Sequence, residues 1–317
     1  MTVVPRPDGP PTSAPTGTPI VRGENVLRQL ELRVTRKLDG LLHGDHEGLV
    51  LGLGSEPGDA REYEPGDDPR RIDWNLSART NEIHVRETIA DRELEAWVVA
   101  DRTASLDFGT ARCEKRDLVT AAASAVGLLV AHGGNRVGAV VMRGDGTQVI
   151  PPRGGRAATM ALLEQLDRRP RADGGSSDLA TTLETTSRVA RRRGLVAVVS
   201  DFLTPETWIR PMRVLAARHE VLAIEIVDPR ELELPDVGYL TVVDPETRRE
   251  LMVPTHKRGV RESFAQAAAA QRHHIAEALR GAGVNHLVLR TDRDWLLDIV
   301  RFVSERKRAR HAQVLTR

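Results

Sequence analysis

The sequence contains almost no cysteine, few aromatic side chains and no long apolar run. A single cysteine, Cys113, among 317 residues excludes an internal disulfide and a paired-cysteine zinc or redox motif, which favours a reducing compartment. Aromatic residues make up 3% of the chain, too few for the stacking platforms of single-strand nucleic-acid binders. The longest apolar stretch, Leu118–Ala131, is shorter than the roughly 20 residues that a membrane span requires. We therefore expect a cytoplasmic protein without a membrane span.

Charge of neither sign dominates the chain. Its 46 basic and 45 acidic residues leave a net charge of +1, which excludes a histone-like DNA wrapper. With so few aromatic residues and no recognised motif, we expect no nucleic-acid partner. The phosphate-binding pattern G-x-x-x-x-G-K-[ST] is absent from the sequence, so this chain is not expected to hydrolyse ATP by itself.

Strand and helix patterns alternate through most of the chain. Apolar runs indicate buried strands at 97–100, 194–200, 220–227 and 285–290, with helical periodicity between them, and a hairpin at 136–151. This order predicts an α/β fold with a doubly wound, mostly parallel sheet. The predicted divisions are a disordered Pro/Thr/Gly-rich leader (1–20), an N-terminal helix with a β-rich extension (21–92), the α/β domain (93–310, with a hairpin insertion at about 229–255) and a tail (311–317).

Two of the predicted buried strands end in an aspartate. Asp101 follows the first strand and Asp201 the second, and ligands of open α/β sheets bind at the carboxyl ends of strands. Thr103 and Ser105 follow Asp101 at alternate positions, and carboxylate and hydroxyl oxygens suit a hard cation such as Mg²⁺ or Mn²⁺. A competing interpretation makes both aspartates helix N-caps, because caps also prefer Asp and Ser.

The pattern Asp101-x-Thr103-x-Ser105 resembles the D-x-S-x-S motif of von Willebrand factor A-like domains. The resemblance implies their Rossmann-like fold and their metal-ion-dependent adhesion site (MIDAS), in which Asp201 would be the second carboxylate. It also implies a hydroxyl ligand from a later loop. Ser177 matches that position, with Thr181 as the alternative.

Longer blocks resemble a bacterial family known only as domain of unknown function number fifty-eight. They lie at residues 61–87 (REYEPGDDPRRIDWNLSARTNEIHVRE), 198–205, 227–247 and 286–296. This resemblance implies a von Willebrand A-like fold that works beside a MoxR-type AAA+ ATPase, or beside other von Willebrand A-like proteins, as an adaptor or co-chaperone.

The first of these blocks is dense in charges of both signs. One interpretation is an internal ion-pair network that Tyr63, Ile72 and Trp74 anchor to the sheet, and the other is a docking surface. The candidate partner-binding residues are Arg70, Arg71, Asp73, Trp74 and Arg79, together with Arg102 beside the predicted metal loop.

The residues at the strand ends predict a metal-dependent protein-binding module rather than an enzyme. Asp101 and Asp201 would hold Mg²⁺ while an open coordination position accepts an acidic residue of a partner, and no nucleophile or general base is evident beside them. The alternative is a Mg²⁺-dependent phosphohydrolase with Asp101 as nucleophile. That chemistry needs a second carboxylate two residues later, where this chain has Thr103.

Overall fold

The computed structural model describes residues 60–64, 69, 72–86, 94–132, 134–167, 178–244 and 249–315. The predicted leader and the predicted helix near residues 25–41 lie outside these ranges. The elements follow one another along the chain as β1 (Ala60–Glu62), α1 (Trp74–Thr80), β2 (His84–Arg86), β3 (Glu95–Asp101), α2 (Lys115–His132), β4 (Arg136–Arg143), β5 (Gly146–Gly154), α3 (Arg156–Asp167), α4 (Leu179–Val189), β6 (Leu195–Ser200), α5 (Ile209–Arg218), β7 (Glu220–Val227), β8 (Leu240–Val243), β9 (Glu250–Val253), α6 (Arg258–Gly281), β10 (Asn285–Arg290) and α7 (Trp295–Leu315).

The core is a six-stranded sheet in the order β10-β7-β6-β3-β4-β5. Within this sheet every neighbouring pair is parallel except β4 and β5, which form the predicted hairpin. Helices α2, α3 and α7 cover one face, and α4, α5 and α6 cover the other. The predicted fold class, α/β with a doubly wound and mostly parallel sheet, is confirmed.

The central strands β3, β4 and β6 are buried along almost their whole length and mostly apolar, because both faces of the sheet are covered there. In β3, Val98 and Ala100 pack into the layer below α2, whereas Trp97 and Val99 pack into the layer on the α5 side. Ala122 and Val126 of α2 are also buried against β3, and the small alanine lets this helix approach the sheet closely. Two covered faces thus produce the continuous apolar runs seen in the sequence.

The strand order changes direction at β3. The next two strands in the chain, β4 and β5, lie on one side of β3, and the later strand β6 lies on its other side. The carboxyl ends of β3 and β6 therefore flank the topological switch point, where an open α/β sheet forms its ligand crevice. Asp101 and Asp201 lie at these two ends.

Several element ends differ from the sequence prediction. Helix α4 ends at Val189, before three exposed arginines, and α7 continues to Leu315, into the segment predicted as a tail. The predicted hairpin insertion forms β8 and β9, which pair with each other and not with the central sheet. In the part of the chain that the structure describes, no helix combines the length and apolar character needed to cross a membrane.

Candidate functional site

Asp101 and the two hydroxyls that follow it form a tight cluster at the end of β3. Thr103 donates to Asp101 Oδ1 through both its backbone N–H, at 3.0 Å, and its hydroxyl, at 2.7 Å. Thr103 Oγ1 lies 3.2 Å from Ser105 Oγ. All three residues are buried. The loop thus brings together the carboxylate and hydroxyl oxygens that the sequence pattern singled out.

Ser200, which sequence reasoning missed, completes this cluster from the neighbouring strand. Its hydroxyl donates to Asp101 Oδ2 at 2.7 Å and accepts from the Phe202 N–H at 3.1 Å. The parallel register places Ala100 opposite Val199, so Asp101 and Ser200 follow side by side. Hydroxyl groups therefore satisfy both carboxylate oxygens of Asp101.

The charge of Asp101 has no cationic partner among the described residues. Burial, followed by the nearby charge of Asp201, raises the pKa of Asp101 to about 6, against the lowering effect of the hydrogen bonds from Ser200 and Thr103. No salt bridge to Asp101 forms within the described ranges. A carboxylate without a counter-ion in this setting is costly to ionise.

Asp201 is buried to the same degree, but it has an internal counter-ion. Lys115, the first residue of α2, donates to Asp201 Oδ2 at 2.7 Å and to Glu231 Oε1 at 2.6 Å. Burial alone would raise the pKa of Asp201, but the charge and hydrogen bond of Lys115 outweigh it and lower this pKa. The same carboxylates overcome the effect of burial on Lys115 and raise its pKa. Asp201 is therefore ionised and already paired.

The ion pairs extend from Lys115 towards the far edge of the sheet. Arg272 of α6 contacts Glu225 at 2.6 Å and Glu231 at 3.3 Å, and it also donates to the backbone carbonyl of Asp201 at 3.1 Å. His286 of β10 lies 2.7 Å from the other oxygen of Glu225. We call Lys115, Asp201, Glu231, Arg272, Glu225 and His286 the buried ion-pair network.

The N-cap interpretation is wrong for Asp101, because Thr103 occupies the N-cap position of the short 3₁₀ turn at 104–106. Asp101 and Asp201 each accept instead from the backbone N–H two residues later. A true cap occurs at Asp178, which accepts from the Ala180 N–H at the start of α4.

Arg102 lies beside the cluster but turns into the protein. Its guanidinium donates to the Arg116 carbonyl at 3.1 Å and to Thr120 Oγ1 at 3.2 Å, and 8% of the residue is exposed. Burial, with the nearby charge of Arg116, lowers the pKa of Arg102 to about 10. Its predicted contact with a partner stays a prediction, and in this structure Arg102 fixes the loop to α2.

The predicted third hydroxyl lies near the start of α4. Ser177 falls outside the described residues, and the alternative, Thr181, is exposed with its hydroxyl 3.5 Å from Asp178 Oδ2. Asp178 in turn accepts from Thr207 Oγ1 at 3.1 Å, which joins the start of α4 to the segment after β6. The choice between Ser177 and Thr181 stays open.

The candidate partner-binding residues of the first sequence block lie around α1. Asp73 accepts from the Leu76 N–H and begins the helix, and Arg79 is exposed in its last turn. Trp74 is 69% exposed, so its interpretation as a buried anchor is wrong. Arg70 and Arg71 lie outside the described residues.

The cluster at Asp101 fits a hard cation, with hydroxyl oxygens rather than further carboxylates as the other ligands. Nowhere in the described ranges do three or more His, Cys, Asp or Glu side chains come together as metal ligands. Asp101, Thr103 and Ser105 instead bring together two neutral oxygens and one buried carboxylate that has no ion pair to another described residue, a donor set that suits Mg²⁺ or Mn²⁺. The residues present therefore fit such an ion, and Asp101 would be the ligand whose charge the ion balances.

These features define the class of protein: a doubly wound α/β domain with a carboxylate and hydroxyl cluster at its switch point. Solved structures similar to it include the hypothetical protein BatB from Bacteroides thetaiotaomicron, with 12% identity and a TM-score of 0.43 over 68% of this chain and 99% of that one. Another is the von Willebrand A domain of SpRpn10, with 11% identity and a TM-score of 0.39 over 65% of this chain and 93% of that one.

Residues 59–274 match the family described as "Protein of unknown function DUF58", and the chain belongs to that family. The family resemblance stated from the sequence is confirmed. Uncharacterized proteins of Mycobacterium bovis and Mycobacterium tuberculosis are each 53% identical to this chain over 286 residues. The matched residues cover 89% of this chain and 89% of each relative.

Proposed function

We propose that this protein is a metal-dependent protein-binding module, which captures an acidic side chain of a partner at the end of β3. Asp101, Thr103 and Ser105 would hold Mg²⁺ or Mn²⁺. When bound, the ion supplies an open coordination position that a partner carboxylate can fill.

The observation that carries the proposal is the unpaired charge of Asp101. This carboxylate is buried, and within the described ranges it receives hydrogen bonds from hydroxyls and a backbone N–H but no ion pair. At the neighbouring strand end the charge of Asp201 is balanced by Lys115, whereas the raised pKa of Asp101 shows that its hydrogen bonds do not offset the cost of burying its charge. A divalent cation is the counter-ion that these oxygens accept best.

The chain's own residues position the cluster for this role. Ser200 and the Thr103 N–H fix the two oxygens of Asp101, and Arg102 ties the loop to α2. The hydroxyls of Thr103 and Ser105 stay adjacent, so a cation would find its ligands already oriented. Such a preformed site costs little ordering entropy on binding.

We further propose a MoxR-type AAA+ ATPase as the partner, on the basis of the family resemblance. The chain has no phosphate-binding loop of its own, so the ATPase would supply the hydrolysis and this module the recognition. The exposed Trp74 and Arg79 of α1 are candidate contacts for such a partner.

The test is a thermal-shift titration with Mg²⁺ and Mn²⁺ on the wild type and on Asp101→Ala. A ligand that binds only the folded state adds about 2.7 kcal/mol of apparent stability at a hundred times its dissociation constant. We expect the wild type to be stabilised and Asp101→Ala to be unaffected, while the control Glu262→Gln, at an exposed residue of α6, behaves like the wild type. No response in the wild type would rule out the metal-dependent mechanism.

The alternative of a phosphohydrolase stays a prediction. Thr103 is hydrogen-bonded to Asp101 at the position where that chemistry needs a second carboxylate. Turnover of a generic phosphate ester with Mg²⁺, lost in Asp101→Asn, would favour it over the binding module.

A further inference from the structure

Lys115 occupies an unusual position for a lysine. It is the first residue of α2 and is fully buried, with its ammonium at the helix end where the macrodipole disfavours positive charge. It is one of four lysines in a chain whose other basic residues are arginines. Its charge is tolerated there because Asp201 and Glu231 both accept hydrogen bonds from it, at 2.7 and 2.6 Å.

The ammonium of Lys115 is also difficult to displace. Glu231, its second partner, is held in turn by Arg272 and by the Asp228 N–H at 3.1 Å. If Lys115 moved away, Asp201 and Glu231 would be left buried with their charges less balanced, which is expensive. The pairing with Asp201 is therefore a fixed feature of the fold.

We propose that Lys115 is a built-in cation that takes up the charge of Asp201, so that a divalent ion at this edge has Asp101 as its single charged ligand. The inference rests on the proposed function and deepens it. It assigns different roles to two aspartates that the sequence pattern treats as equivalent ligands. Asp101 binds the ion, and Asp201 holds α2 and the network in place through Lys115.

A consequence follows for the affinity of the site. A divalent ion that meets one uncompensated carboxylate is bound less tightly than one that meets two, because the attraction scales with the charge present. Lys115 is then the positioning residue that keeps the affinity low, although it does not touch the ion. With a single charged ligand, the bound ion also keeps more of its positive charge for a partner carboxylate.

The experiment compares Mn²⁺ dissociation constants of the wild type and of the double variant Lys115→Met/Glu231→Gln. The double variant removes one positive and one negative charge, so it keeps the net charge of the wild type while it frees Asp201 from Lys115 and removes the Glu231 charge that Arg272 contacts. Free Mn²⁺ is measured by electron paramagnetic resonance, and folding is verified by circular dichroism. We expect Mn²⁺ to bind the double variant at least about tenfold more tightly, which corresponds to about 1.4 kcal/mol.

Two controls separate charge release from a general disturbance of the network. Glu231→Gln alone keeps Lys115 on Asp201, so its Mn²⁺ affinity should not exceed that of the wild type. Adding Asp201→Asn to the double variant should abolish the gain. A folded double variant that binds Mn²⁺ no more tightly than the wild type would overturn the inference.

The outcomes also distinguish this inference from the proposed function. If the wild type binds no Mn²⁺ and the double variant does, Lys115 is the built-in cation and the metal-dependent function is wrong. If the wild type binds Mn²⁺ through Asp101 but the double variant shows no gain, the function stands and the role of Lys115 is overturned.

Discussion

The ends of β3 and β6 are neighbours in one sheet, and each has a buried aspartate, yet their charges are balanced in different ways. At β6, Lys115 pairs with Asp201 and links it to Glu231. At β3, hydroxyl groups surround Asp101 and, within the described ranges, no basic side chain pairs with it. Burial is nearly equal, at 1% and 0% exposure, so burial does not cause the difference. The comparison shows that burial alone does not fix how the charge of a strand-end aspartate is balanced, because that depends on the neighbours that the fold provides.

The pKa values of the two carboxyl groups express the same contrast. Burial and the charge of Asp201 raise the pKa of Asp101 to about 6, whereas Lys115 lowers that of Asp201. Removing the negative charge of Asp101 should therefore not destabilise the fold, whereas removing that of Asp201 should. The following predictions test that contrast, beginning with the largest effect.

Lys115→Met should cause the largest loss of stability. The substitution leaves Asp201 and Glu231 buried without their shared cation, and breaking a buried ion pair from one side costs about 3–5 kcal/mol. Urea unfolding in EDTA at pH 7.5 measures the loss. Lys257→Met is the matched control, because Lys257 also lies at the start of a helix but is exposed, so its effect should stay within about 0.5 kcal/mol. A loss below about 1 kcal/mol for Lys115→Met would show that the pairing is not needed for folding.

Asp201→Asn and Asp101→Asn form a matched pair at the two strand ends. Without metal at pH 8, Asp201→Asn should cost about 3 kcal/mol, because Lys115 loses one of its two carboxylates. Asp101→Asn should cost nothing or stabilise the fold, since it removes a buried charge that has no counter-ion among the described residues. Equal losses in the two variants, measured by urea unfolding, would contradict the proposed difference between the two ends.

Stability should depend on pH through Asp101 in a direction opposite to that of a paired carboxylate. The pKa of Asp101 is about 6 in the folded state, above its ordinary value of 3.8, so the folded protein binds this proton more tightly than the unfolded chain. Lowering the pH through 6 therefore stabilises the wild type relative to Asp101→Asn, by about 1.4 kcal/mol between pH 8 and 5. Urea unfolding of both proteins in EDTA across this range measures the difference. A difference that does not change with pH would show that the pKa of Asp101 is not raised.

Thr181→Ala should have the smallest effect on stability, and its Mn²⁺ affinity distinguishes Ser177 from Thr181 as the third hydroxyl ligand. Thr181 is exposed on α4, so its removal should change stability by no more than about 0.5 kcal/mol. If Ser177 provides the later hydroxyl, Mn²⁺ affinity stays at the wild-type value in Thr181→Ala. A marked fall in Mn²⁺ affinity would assign the ligand to Thr181 instead.

The sequence predicted those features that arise from local patterns. Apolar runs marked strands β3, β6, β7 and β10, and β10 falls at the predicted residues 285–290. The runs are longest in β3 and β6, because those strands are covered on both faces. The exposure of Trp74 was missed, since an aromatic residue between polar ones has the same sequence pattern whether it faces the core or the solvent. The end of α7 was placed too early because polar residues continue a helix as readily as they end one.

The sequence by itself determined the alternation of strands and helices, the aspartates at two strand ends and the hydroxyls that follow one of them. These features depend on neighbouring residues and on the rule that ligands bind at carboxyl ends of strands. Only the tertiary structure decided which aspartate is paired. Ser200 reaches Asp101 across 99 residues of sequence, and Lys115 reaches Asp201 across 86. Such contacts are set by sheet register and by how α2 packs, and the free energy of a buried charge depends on those long-range neighbours.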